Sequence, residues 1–191
     1  MSILTESLPV HLEIRGQKCP INPSFRLWLK FSELIGKDMP ETEKAVQMLK
    51  MVFGNNLPPN FFDAILAIMQ FYSHSSTKSI QEREKQEIVT KTYFDFAYDA
   101  ELIYAAFLQQ YHIDLCKTDM HWWKFRALLA GLSDETHFVK VVQYRSMDIS
   151  KIKDKEQKKF YLDMKRRHKL PDKRSEEEKE RQLNSIMEKM F

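Results

Sequence analysis

The run Val10-His11-Leu12-Glu13-Ile14 alternates apolar and polar side chains, the period of a strand with one face buried. Arg15-Gly16 supplies a tight turn, and Gln17 to Ile21 returns as a second strand. Pro20 requires that this second strand lie at an edge, because proline cannot donate to a ladder. A lone hairpin is marginal in water, so residues 10–21 must lie on helices or pair elsewhere.

From Asn22 the period changes to that of a helix. Asn22-Pro23-Ser24 is a helix start, Phe25, Trp28, Leu29, Ser32 and Ile35 follow helical spacing, and Gly36 stops the run. Pro40 opens a second helix with Glu41 and Glu43 in its first turn, where acids suit the dipole. Its stripe is Ala45, Met48, Leu49, Val52 and Phe53, ending at Gly54. After Pro58-Pro59 a third helix places Phe61, Ile65, Ile68, Met69 and Tyr72 on one face. Residues 73–87 are polar, lack a stripe and read as a spacer.

The stretch from Asp95 to Leu132 organises the remainder. A fourth helix carries Phe96, Ala100, Ile103 and Phe107 as one stripe and is apolar almost all round from Leu102 to Leu108, so it belongs at the centre. Asp99 falls about 40° from Ile103, inside that face, at 100° per residue. A carboxylate there needs a buried partner, either a Lys/Arg or a tryptophan indole N–H. A fifth helix, capped by Thr118 or Asp119 and ended by Gly131, has two apolar faces. His121, Trp122, Phe125, Leu128, Leu129 and Leu132 form the main one. Trp123, Ala127 and Ala130 form the other, which either packs inside the monomer or is kept for a partner. Ser133 to Thr136 opens a sixth helix with Phe138, Val141, Val142 and Arg145. A helix from about Lys155 to His168 follows, and Pro171 breaks it. Ser175-Glu176-Glu177-Glu178 is a capping-box match for a last helix. Its stripe of Leu183, Ile186, Met187, Met190 and Phe191 would dock on the body, on a second copy or on another protein.

These periods predict a mainly α fold, a six- to seven-helix bundle with a small N-terminal β-hairpin. Residues 1–170 read as a single helical domain and 171–191 as a C-terminal amphipathic helical extension.

Composition sharpens this reading in three ways. The chain of 191 residues has only 4 Gly, which argues against Gly-lined phosphate loops and turn-rich β folds. Its N-terminus lacks a basic and then apolar leader, and no run approaches the roughly 20 apolar residues that cross a bilayer. The net charge of +3 conceals an asymmetry: residues 151–174 carry eleven Lys/Arg against four Asp/Glu, a net +7, so the rest sums to −4. Lys158, Lys159, Lys165, Arg166, Arg167 and Lys169 form a basic patch suited to an acidic protein partner, with nucleic acid as the less favoured alternative.

Candidate chemistry is sparse. His112 and Cys116 stand four apart, with Asp119 and His121 nearby, but no second pair completes a metal site. Cys116 beside His112 or His121 lacks an orienting third group for a thiol nucleophile. Asp95 and Asp99 share a face, whereas glycosidase-type chemistry needs opposed carboxylates on separate elements. No catalytic residue, metal or cofactor is expected.

In NPSFRLWLKFSELI, then DAELIYAAFLQQYHIDL and MHWWKFRALLAGL, the sequence resembles the "gene product fifteen" family of tailed phages and prophages of Gram-positive bacteria. The pattern runs in order through Pro20-Ile21-Asn22, Phe25-Arg26, Pro58-Pro59, Asp99-Ala100, the block His121-Trp122-Trp123-Lys124-Phe125, and a basic helix ending near Leu170. It covers roughly residues 8 to 170, and the tryptophan block is its most specific part. The genes of this family sit between those of the major tail protein and the tape measure protein. The resemblance therefore implies a non-enzymatic role in tail morphogenesis, foremost a tail assembly chaperone that binds the tape measure protein. It implies a homo-oligomer or multi-copy complex, in the host cytoplasm and absent from the mature virion. A structural tail component retained in the virion is the alternative, and a nucleic-acid-binding protein using residues 151–174 is a second.

Overall fold

The computed structural model describes residues 3–74 and 93–172. Within them lie a two-stranded antiparallel sheet, β1 (His11–Ile14) and β2 (Gln17–Pro20), and seven α-helices. These are α1 (Phe25–Ile35), α2 (Glu41–Phe53), α3 (Phe61–Ser73), α4 (Ala100–Tyr111), α5 (Trp122–Ala130), α6 (His137–Ser146) and α7 (Lys155–Arg167). The protein is mainly α with a small hairpin. The expected last helix, with Leu183, Ile186, Met187 and Met190, lies outside the described residues, as does the spacer from residue 75 onward.

Arg15 and Gly16 both have positive φ, 50° and 80°, the requirement of the two-residue hairpin turn that matches strand twist. Leu12, Ile14 and Cys19 are buried, while Val10, apolar in the alternation, is 55% exposed. The sheet lies on α3, and the Arg15 guanidinium reaches across it to the Asp63 carboxylate. That cover is what keeps a two-stranded sheet in place.

Helix α1 buries Phe25, Trp28, Phe31 and Leu34, and α2 buries Met48, Leu49, Val52 and Phe53, as amphipathic spacing requires. Helix α3 departs from expectation. Its buried side chains are Ala64, Ile68 and Phe71, whereas Phe61 and the adjacent Phe62 are 60% and 79% exposed. The sequence FFDAILAIMQFY is apolar except at Asp63 and Gln70, so its apolar arc is too wide to fix one buried face. The neighbours that cover the helix choose the buried face.

Two helix starts are also corrected. Helix α4 begins at Ala100, not at Phe96, because the Asp95 carboxylate accepts the N–H groups of Ala97 (3.0 Å) and Tyr98 (2.9 Å). An Asp that bonds nearby backbone competes with helix formation. Asp99 thus sits just before the helix rather than on its apolar face. Burial in α4 falls on Ile103, Ala106 and Phe107, and Leu108 is 43% exposed, so the helix is central on one side only. Helix α5 is capped by His121, whose Nδ1 accepts the Trp123 N–H at 3.1 Å. Thr118 and Asp119 are engaged elsewhere. The Thr118 carbonyl accepts from Arg26, and the Asp119 carboxylate accepts from the Ser24 hydroxyl at 2.7 Å.

Candidate functional site

The densest arrangement of specific contacts is the joint where α5 meets α1 and α3. The backbones entering α1 and α5 clip together: Phe25 N–H donates to the Met120 carbonyl (2.9 Å) and Trp122 N–H to the Pro23 carbonyl (2.8 Å). Each bond satisfies an N–H that a helix start otherwise leaves without a partner. His121 completes the clip. Its Nε2 lies 3.0 Å from the Pro9 carbonyl and its Nδ1 accepts the Trp123 N–H, which assigns the neutral tautomer with the proton on Nε2. Burial holds its pKa below the usual histidine range; Lys124 acts the same way and the Pro9 hydrogen bond opposes them.

Three side chains from the start of α5 then close the far end of α3. Trp123 Nε1 donates to the Phe71 carbonyl at 2.8 Å. Trp122 Nε1 (2.9 Å) and Arg126 Nη1 (2.7 Å) both donate to the Tyr72 carbonyl. These are among the last four carbonyls of α3, which its regular ladder leaves over; that of Phe71 also accepts the His74 N–H at 3.2 Å. A guanidinium there also meets the negative end of the helix dipole. Trp122 stacks on Tyr72 with centroids 5.4 Å apart, and Trp123 packs on Phe71 at 5.2 Å and His74 at 4.1 Å. Of the two roles open to the second face, Trp123 takes the one inside the monomer rather than the partner contact. It is 8% exposed, because the Phe71 carbonyl at the end of α3 takes up the indole N–H. Ala127 and Ala130 are exposed on α5, and Ala130 borders a cavity of about 460 Å³ with Phe94, Leu129 and Val142.

Asp99 has the buried partner that its position demanded. Arg145 of α6 grips it with two bonds, Nη1 to Oδ2 at 2.7 Å and Nη2 to Oδ1 at 2.9 Å. Oδ2 also accepts the Asp95 N–H at 2.9 Å. The same guanidinium donates to the carbonyls of Tyr93 (3.1 Å) and His168. It thereby ties the start of α4, the body of α6 and the end of α7 into one network. Such a pair specifies geometry more than it adds stability.

The other sequence candidates separate. His112 and Cys116 are exposed, and both ring nitrogens of His121 are occupied. No group of three His, Cys, Asp or Glu that could hold a metal is gathered among the described residues. Arg26, unassigned from sequence, binds the carbonyls of Leu115 (2.8 Å), Cys116 (3.2 Å) and Thr118 (3.1 Å), pinning the loop before α5. Backbone acceptors leave no mark in a sequence. For Arg126, spacing four residues after Trp122 was the available signal.

The basic patch lies on α7, which has no buried residue, and at Lys169 just past its end. Lys158, Lys159, Arg167 and Lys169 are exposed and make no ion pair among the described residues. Arg166 pairs with the half-exposed Asp163 at 3.1 Å, and Lys165 donates to the Met147 carbonyl at 2.9 Å. Tyr144 of α6 holds the helix, stacking on His168 (5.9 Å) and meeting Tyr161 (6.3 Å). Between α7 and Tyr93 opens a cavity of about 510 Å³ bordered by Leu162, Lys165, Arg166, Lys169 and Leu170. No helix of the described residues is long and apolar enough to cross a membrane.

Compared with known proteins, the chain matches the profile of a family described as Bacteriophage Gp15 protein over residues 4–170. No curated protein and no solved structure matches it.

Proposed function

Since this chain belongs to the bacteriophage Gp15 protein family, whose profile covers the body from the hairpin through α7, we propose that it is a tail assembly chaperone that binds the tape measure protein. Membership carries a phage structural or morphogenesis role and partners among phage proteins. The finer reading is supported by one feature of the surface. Apolar side chains remain about half or more exposed, at Phe61 and Phe62 on α3 and at Phe160 and Leu162 on α7. Exposed apolar positions next to fixed charge suit reversible cover of amphipathic helical segments.

In this mechanism the protein performs no chemistry of its own. It shields apolar stretches of the tape measure in the host cytoplasm, in several copies, until tail-tube subunits replace it, and it is absent from the mature virion. Co-expression tests this directly. The tape measure protein is expected to become soluble and to co-elute with this chain in gel filtration. Unchanged insolubility with no complex overturns the proposal. Mass spectrometry of purified virions separates it from a retained tail component, which would be recovered in stoichiometric amounts.

A further inference from the structure

We infer that the groove between α7 and Tyr93 is a docking site for an acidic amphipathic helix of a protein partner. This deepens the partner-binding reading above and rests on it.

The groove combines two chemistries on one wall. Its apolar part is Leu162, which is 50% exposed, with the partly buried Tyr93 and Leu170. Its cationic part is Arg166 and Lys169, with Lys165 beside them. No carboxylate borders it among the described residues. Lys169 makes no ion pair among them, and the one ion-pair partner of Arg166 is the half-exposed Asp163, a pair too solvated to neutralise it. Arg145, at the base, is spent on Asp99 and on two carbonyls, so it offers no charge to a ligand. At about 510 Å³ the groove accepts a few apolar side chains from one helix face.

An occupant must bring apolar groups to Leu162 and anions to Arg166 and Lys169 at once. An amphipathic helix with leucines on one face and glutamates at its flank does so. A nucleic acid fits less well. Leucine is no stacking platform, and Asp154, Glu156 and Asp163 are interspersed along the same helix, where a phosphate chain would be repelled.

The test uses the full chain and a fluorescein-labelled peptide of about 18 residues, with Leu at i, i+3, i+4 and i+7 and Glu elsewhere. Anisotropy should show binding that weakens with added salt. It should weaken about tenfold or more in Arg166→Glu/Lys169→Glu. A twin peptide with Lys for Glu should then bind the reversed protein better than the wild type. A Leu→Ser twin should bind neither. All the substituted side chains are exposed, and circular dichroism checks that the fold is kept. The inference is overturned if the acidic peptide does not bind. It is also overturned if reversal leaves binding unchanged, or if a single-stranded oligonucleotide binds more tightly with the same dependence on Arg166 and Lys169. Tape measure protein captured equally by wild type and reversed protein removes the groove and leaves the chaperone reading standing. Capture by neither removes the chaperone reading.

Discussion

Asp99 is 1% exposed and Arg145 7%, so removing either partner strands the other in the interior. Asp99→Ala should cost about 3–5 kcal/mol in urea unfolding, the cost of an uncompensated buried charge. Asp99→Ala/Arg145→Met should be closer to wild type than Asp99→Ala alone, since it removes the stranded cation. A double variant worse than the single one would show that the guanidinium's bonds to Tyr93 and His168 dominate. The need for a partner at Asp99 was legible in the sequence, because a carboxylate within an apolar stretch states it. The identity of the partner was not: Arg145 lies 46 residues away, and nothing local links the two. The place of Asp99 ahead of α4 was also hidden, since it depends on which N–H groups the Asp95 side chain takes.

Helices α1, α2, α6 and α7 were legible as elements because proline, glycine and short polar caps punctuate the pattern. Faces were less so. In α3 the apolar arc is wider than one face, and its C-terminus meets two indoles and a guanidinium that fix its position. Those donors act together. Trp122→Phe and Arg126→Met each leave the Tyr72 carbonyl one donor, so each alone should be mild. The double variant leaves that carbonyl without either and should be more destabilised than the sum, with a coupling of about 0.5–3 kcal/mol by chemical denaturation. Additive losses would mean that another donor replaces them. The same contacts explain why the second face of the tryptophan block, open in the sequence to packing or to a partner, caps α3. A side-chain N–H seeking a helix's last carbonyls leaves no periodic signature.

Across the molecule, three histidines sit at joints. His121 stands at the clip between α1 and α5, His74 at the end of α3 and His168 at the end of α7. Burial is the first cause that lowers each pKa below 6.5; Arg126 adds to it at His74, and His137 and Arg145 add to it at His168. A folded pKa below the unfolded one means that the unfolded chain takes up the proton first as pH falls. Stability should therefore be full above about pH 6.5 and should decline as pH drops from 6.5 through the lowered folded values. Urea midpoints measured from pH 7.5 to 5 should show that fall. His121→Asn, which keeps an acceptor at the helix start, should flatten it. A rise in stability toward pH 5 would contradict the assigned neutral tautomer. The hairpin, the helix order and the basic segment were all visible from periodicity and charge. The joints were not, because they form between residues about 23 to 112 positions apart.

Those separations matter during synthesis. The carbonyl of Tyr72 is made 50 residues before the indole of Trp122 that closes it. At bacterial elongation rates of about 5–20 residues per second, the interval is about 3–10 s. Throughout it, the nascent chain carries Phe25, Phe71 and Tyr72 with their aromatic partners on α5 not yet made. A ribosome that pauses before codon 123 therefore holds out a greasy, half-built bundle. In its own first seconds, the escort proposed for a phage partner is itself a chain with apolar surface uncovered.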